Sequence, residues 1–229
     1  MKDAKPTHIG IIMDGNRRWA TSQGLPTLSG HSKGIDVLYS VTKHIFEQGI
    51  PFLTVYAFSV ENWQRNHKEV NYLMALIRKG FDKYIDKLHE AGIKVTFLGD
   101  RERLDEKVIK IILEGEEKTR NNTSGTLAIC FNYGGHQEIV DATKRIIDDK
   151  VPSDEVTTDT LSSYMYAPEI PPVDLIIRTS GENRISGFML WRAEYSELYF
   201  AEKHWPEFTT SDIDEALVEY ARRQRRFGK

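Results

Sequence analysis

The chain has 229 residues, 40% of them hydrophobic, which suffices for one substantial core and fits one α/β domain spanning residues 1–229. A formal net charge of −3 and a pI of about 6.2 give no global positive field for nucleic acid, so any anion site must be built locally. The lone cysteine, Cys130, excludes an intrachain disulfide and fits a reducing compartment; with no apolar leader and no run of membrane-spanning length, a soluble cytoplasmic protein is expected.

Short apolar, β-branched runs alternate with segments of helical period. HIGIIM (8–13) reads as the first strand. A helix follows on Ile35, Leu38, Val41, Thr42 and Ile45, stopped by Gly49 and Pro51. FLTVYAF (52–58) is the second strand, and residues 68–90 form a long amphipathic helix ending before Gly92. KVTFLG (94–99), a helix over 104–118, TLAICFNY (126–133) and a helix over 137–147 come next. The linker 150–172, with four prolines, carries no chemical signal and reads as structural. VDLIIRT (173–179), YSELYF (195–200) and a helix over 213–221, capped by Ser211, complete the pattern. Such alternation predicts a mostly parallel sheet of about six strands flanked by helices, with ligands at the carboxyl ends of the strands.

Three predicted strand ends carry unusual polar residues: MDGNRRW, SVENWQR and RTSGENRIS. Asp14 directly follows an apolar strand, Gly15 and Asn16 permit a tight turn whose N–H groups face an anion, and Arg17 and Arg18 offer forked donors for phosphate. An acid beside cations suggests Mg²⁺ shared with phosphate oxygens. Alone, DGN reads as a capped turn with solvated arginines. Ser59, Glu61, Asn62, Trp63 and Arg65 on the second end, and Arg178, Arg184 and Ser186 on the third, shift the balance, because all would converge on one mouth large enough for two diphosphates. Neither G-x-G-x-x-G nor a P-loop is present, and the histidines never fall three or four apart. Ile12 and Asn16 stand where a haloacid-dehalogenase-type phosphatase needs a second carboxylate, and the D-D-x-x-D of trans-type prenyl synthases is missing.

The blocks HIGIIMDGNRRWA, GHSKG, YAFSVENWQR, RTSGENRISGFMLWRAEYSELYF and WPEF, in this order, resemble those of the cis-prenyltransferases. That resemblance implies a homodimeric α/β fold that adds isopentenyl diphosphate to an allylic diphosphate, usually farnesyl diphosphate, with Mg²⁺ and a hydrophobic tunnel for the product. It further implies that Asp14 handles Mg²⁺ and diphosphate, with Glu197 as a second metal ligand. Gly15, Asn16, Arg17, Arg18 and Trp19, with His31 nearby, would form the turn around the allylic diphosphate. Arg178, Arg184, Ile185 and Ser186, with Arg65, would hold isopentenyl diphosphate. Asn62 matches the residue assigned to proton removal, beside Ser59, Val60, Glu61 and Trp63. As a neutral amide it is a poor base, so it is expected to orient isopentenyl diphosphate while a phosphate oxygen or Asp14 receives the proton.

Leu73, Met74, Ile77 and Phe81, with Ile111 and Ile112, are candidate tunnel walls, although most such residues are ordinary core. Two positions depart from the family pattern: Thr27 stands where an arginine is common and Asn183 where some relatives have histidine. Arg222, Arg223, Arg225 and Arg226 suit a helix C-terminus, with contact to anionic lipid or a second subunit as the functional alternative. The rival function is a noncatalytic polyprenyl-diphosphate-binding subunit; the presence of Asp14 and the RIS segment in one chain favours the enzyme.

Overall fold

The computed structural model describes residues 5–102 and 104–223. Its β1 (His8–Ile12), β2 (Phe52–Ser59), β3 (Ile93–Leu98), β4 (Gly125–Tyr133), β5 (Leu175–Arg178) and β6 (Glu197–Phe200) form one sheet in the order β3-β4-β2-β1-β5-β6. Every pairing is parallel. β1 lies between β2 and β5 and is buried along its whole length, which is why it reads as a continuous apolar run. Alternation along the strands then feeds two cores. Ile9, Ile11, Leu53 and Val55 belong to one, while Ile12, Ala128, Cys130 and Ile176 belong to the other with Phe188 and Met189. Gly10 faces that second layer, where a Cβ would lie 2.8 Å from the Phe188 ring.

The helices are α1 (Asn16–Ser22), α2 (Ser29–Glu47), α3 (His67–Glu90), α4 (Glu106–Thr119), α5 (Gly135–Asp148), α6 (Thr158–Ser163) and α7 (Thr210–Arg222). Two corrections concern local signals. The DGNRRW segment is not a bare turn: Gly15, at φ 95°, is the N-cap of α1. The cap of α7 is Thr209 rather than Ser211, because Asp212 Oδ2 accepts from the Thr209 N–H at 2.8 Å and Ser211 lies inside the helix.

The 150–172 segment includes α6, buries Met165 and sends Ile170 into the second core. It is tied to α5 by Arg192, whose guanidinium donates to Glu138 Oε1 at 2.7 Å and to the Tyr166 carbonyl at 2.6 Å. This ion pair is almost fully buried, so each charge depends on the other for solvation. The polar ring of His8 is satisfied similarly, by Thr54 Oγ1 at 2.7 Å and the Pro171 carbonyl at 2.8 Å, and burial lowers its pKa to about 4. Of the four arginines in the C-terminal tail, Arg225 and Arg226 lie outside the described residues.

Candidate active site

The carboxyl ends of β1 and β5 are neighbours in register, Ile12 opposite Arg178, and this brings Asp14 and Arg178 together across 164 residues of sequence. Arg178 Nη2 donates to Asp14 Oδ2 at 2.8 Å, and its Nη1 donates to Ser186 Oγ at 2.9 Å and to the Arg184 carbonyl. The side chain is buried, and its Nε has no partner. Arg18, one turn along α1, reaches Asp14 Oδ1 at 3.2 Å and Glu182 Oε1 at 2.7 Å. The Gly15 N–H also donates to Asp14 Oδ1, at 2.7 Å. Burial is the largest influence on Asp14 and opposes its ionisation. The Arg178 hydrogen bond, the Gly15 N–H and the charges of Arg178 and Arg18 together outweigh it and hold the carboxyl below the usual range.

Glycines let the backbone elements around this acid approach closely. A Cβ on Gly30 would sit 1.9 Å from the Asn16 carbonyl oxygen, and one on Gly34 would sit 2.5 Å from Asn16 Oδ1 and 2.9 Å from the Trp205 ring. The GHSKG block therefore packs α2 against α1, and Trp205 Nε1 donates to the Gly34 carbonyl at 2.9 Å. The spacing of four between the glycines on α2 is the sequence sign of that close packing.

A short 3-10 helix, Val60–Gln64, forms the next wall. Asn62 Oδ1 accepts from the Ser59 N–H at 3.1 Å, so its carbonyl end is occupied and the NH₂ end is left for a ligand. Ser59, Glu61, Asn62 and Arg65 line the cavity with Asp14, Asn16, Arg18, His31, Arg178, Arg184 and Ser186. Glu69 supplies an acid that the motifs did not reveal. It is 5% exposed and accepts from Arg65 at 2.9 Å while facing Arg17 at 3.3 Å, holding two cations of the rim. His31 Nε2 is buried without a partner; burial first, then the Arg65 charge, lowers the ring to a pKa of about 4, so it is neutral at physiological pH.

Other expected site residues sit elsewhere. Val60 packs against Gly134, and Trp63 donates to Asn132 Oδ1 at 2.7 Å with its ring edge-on to Phe58. Both support the wall from behind, whereas Phe58 itself lines the cavity. Ile185 packs into the second core, and Trp19 is half-buried on α1 outside the cavity lining. Gly15, Arg17 and Thr27 line a shallower rim beside Asp14. Asn183 is exposed in the loop after β5. Glu197 is opposite Leu175 at the amino end of β6, roughly 10 Å of strand away from the Arg178 end. It pairs there with Arg223 at 3.2 Å, so within one chain it does not join Asp14.

Behind the polar mouth the same cavity, about 800 Å³ in all, continues as an apolar tunnel between α2, α3 and the sheet. Ile35, Leu38, Leu76, Ile77, Phe81 and Ile129 are among its walls, together with Leu73. Met74, Ile111 and Ile112 are not. Met74 packs against the core, and α4, with the buried Ile112, lies against β3 and α3. Gly115 of α4 makes room for the Phe81 ring, which a Cβ would meet at 2.1 Å. An apolar stripe identifies a buried helix face, but not the part of that face that borders a void.

Among the described residues no cluster of three or more His, Cys, Asp or Glu forms a cage for a metal. A single partly exposed carboxylate beside arginines, whose chemistry suits phosphate, would instead suit Mg²⁺ that shares its ligands with substrate. Preset arginines around one acid, joined to an apolar tunnel, can hold diphosphates at the mouth and an apolar chain behind them.

The sequence profile of a family described as putative undecaprenyl diphosphate synthase matches residues 12–228. An isoprenyl transferase of Thermotoga maritima is 47% identical over 228 residues, 97% of this chain and 97% of that protein. The crystal structure of lavandulyl diphosphate synthase from Lavandula x intermedia in complex with dimethylallyl diphosphate superposes with a TM-score of 0.95 at 30% identity, covering 98% of this chain and 99% of that one. A probable undecaprenyl diphosphate synthase from Campylobacter jejuni gives 0.85 at 30% identity, over 99% and 100%.

Proposed function

Because this chain belongs to the undecaprenyl diphosphate synthase family, we propose that it elongates an allylic diphosphate, such as farnesyl diphosphate, with isopentenyl diphosphate to a long cis-polyprenyl diphosphate of the undecaprenyl class. The observation that carries this reading is the continuity of the Asp14–Arg178 mouth with the apolar tunnel.

In each condensation the allylic C1–O bond breaks, C4 of isopentenyl diphosphate bonds to C1, and a proton leaves C2. Negative charge develops on the departing diphosphate, and Arg18, already in place beside Asp14, stabilises it without reorganisation, while Arg65 and Arg178 hold isopentenyl diphosphate at the same mouth. Asp14 is the residue that would hold Mg²⁺, which when bound would supply further charge neutralisation. Phe58 and the tunnel walls keep water from the electrophilic carbon. Asn62, with its oxygen engaged by Ser59, offers its NH₂ to isopentenyl diphosphate and orients it. Asp14, held below the usual carboxylate range, is a weak base, which makes a diphosphate oxygen the better proton acceptor.

The reading includes a homodimer, with the exposed Leu198 of β6 and Val218 of α7 as apolar surface for a second copy. Among the described residues no helix is long and apolar enough to cross a membrane. We place the work in the cytoplasm, with at most peripheral membrane contact to release the lipid product. The noncatalytic alternative is not favoured, since the acid and arginines of the mouth are all present.

Incubation of the purified chain alone with farnesyl diphosphate, isopentenyl diphosphate and Mg²⁺ should yield a ladder ending in one long polyprenyl diphosphate. Product formation only after addition of a second protein would return the chain to the role of an accessory subunit.

A further inference from the structure

Behind the Asp14 turn, Ser180 Oγ and His204 Nδ1 stand 2.7 Å apart and join the loop after β5 to the segment entering Trp205. Ser180 is buried and adopts φ 81°, a region that non-glycine residues occupy only where the surroundings over-determine it. Its N–H donates to the Lys203 carbonyl at 2.8 Å, and its carbonyl accepts from Arg18 Nη1 at 3.3 Å. On the facing side, the Asp14 carbonyl accepts from the Trp205 N–H at 3.0 Å and from Thr179 Oγ1 at 2.7 Å. The pair also presses directly on Gly15: a Cβ there would lie 2.6 Å from Ser180 Oγ and 2.7 Å from His204 Nδ1.

We propose that His204 is a positioning residue for the condensation. Through the Ser180 hydroxyl it fixes the loop after β5 against the Asp14–Gly15 turn, so that Asp14, Arg18 and Arg178 meet the diphosphates in one geometry. The proposal rests on the diphosphate-site reading of the mouth. Groups that stabilise developing charge must be held within about 0.5 Å, and a misplacement of about 1 Å can cost a hundredfold in rate. His204 itself touches none of the reacting atoms; its effect passes through Ser180, the Arg18 contact and Gly15.

The test compares His204→Leu, His204→Asn, Ser180→Ala and the His204→Leu/Ser180→Ala double variant. Turnover is measured alongside calorimetric titration with Mg²⁺ and inorganic diphosphate. His204→Leu and Ser180→Ala should each lower kcat/KM about tenfold, the size expected for one lost hydrogen bond to a positioned group. The double variant should lose no more than either single one, and diphosphate affinity should fall in parallel. His204→Asn, whose amide reaches the place of Nδ1, should retain within about threefold of wild-type activity, since one hydrogen bond is kept. The proposal is overturned if Ser180→Ala stays within about twofold of wild type, if the single losses multiply in the double variant, or if His204→Asn loses as much as His204→Leu. Ser180→Ala removes a single atom and decides the matter even where His204→Leu fails to fold. A wild-type chain that does not turn over isoprenoid substrates would defeat the functional reading, while the diphosphate titration would still judge the pair.

Discussion

Replacing Asp14 with alanine should lower kcat/KM by about three orders of magnitude or more, because removing even one preset group at a developing charge costs about 10²–10³. Asp14 holds more than one role: it accepts from Arg178 and the Gly15 N–H, it pairs with Arg18 at 3.2 Å, and it is the carboxylate at the point where Mg²⁺ would meet diphosphate. The fold should survive, since the side chain is 29% exposed and Arg178 keeps Ser186 Oγ and the Arg184 carbonyl as partners. Asp14→Asn separates charge from shape. It can still accept from Arg178, so a loss of at least about a hundredfold would identify the negative charge itself as the requirement. Steady-state kinetics with a melting curve on each variant checks this, and near-wild-type turnover of Asp14→Ala would remove the acid from the chemistry.

Arg178→Met should have the second-largest effect, about 10²–10³ in kcat/KM, and it should also change the pH dependence. The buried guanidinium lies against Asp14, Arg184 and Ser186. In the wild type burial pushes the Asp14 pKa up, and the hydrogen bond from Arg178, reinforced by its charge, does most to pull it below the usual range. Without Arg178, burial is opposed only by the Gly15 N–H and Arg18, so the pKa rises and Asp14 takes up a proton at higher pH. The acid side of the pH–rate profile should therefore move toward neutrality, with activity lost earlier as pH falls. A profile that drops in height without moving would mean that Arg178 binds substrate but does not govern the ionisation of Asp14.

The strand–helix alternation made the six strands legible, because parallel strands buried on both faces appear as unbroken apolar runs. Their lateral order was not legible. Nothing in VDLIIRT says that it lies beside HIGIIM, and only the sheet shows Arg178 meeting Asp14. Residues carrying unusual polar chemistry at strand ends, such as Asp14, Asn62 and Arg178, could be found from sequence. Glu69 and His204 could not, since each acts by holding another side chain and sits in a segment of ordinary composition. Glu197 is the opposite case: it belongs to a recognisable block, yet parallel pairing puts it, within one chain, at the far end of its strand from Asp14. Tunnel walls were only half visible because Leu73 and Met74 are adjacent in one apolar stripe, and the rotation of α3 decides that Leu73 borders the cavity and Met74 does not.

A crystal structure of the protein with Mg²⁺, isopentenyl diphosphate and a non-hydrolysable farnesyl thiodiphosphate bears most directly on whether mouth and tunnel are one site. Both diphosphates should lie within reach of Asp14, Arg178 and Arg184, with the farnesyl tail between α2 and α3 against Ile35 and Ile77. Diphosphates bound away from Asp14, or a farnesyl tail outside the α2–α3 cavity, would contradict it.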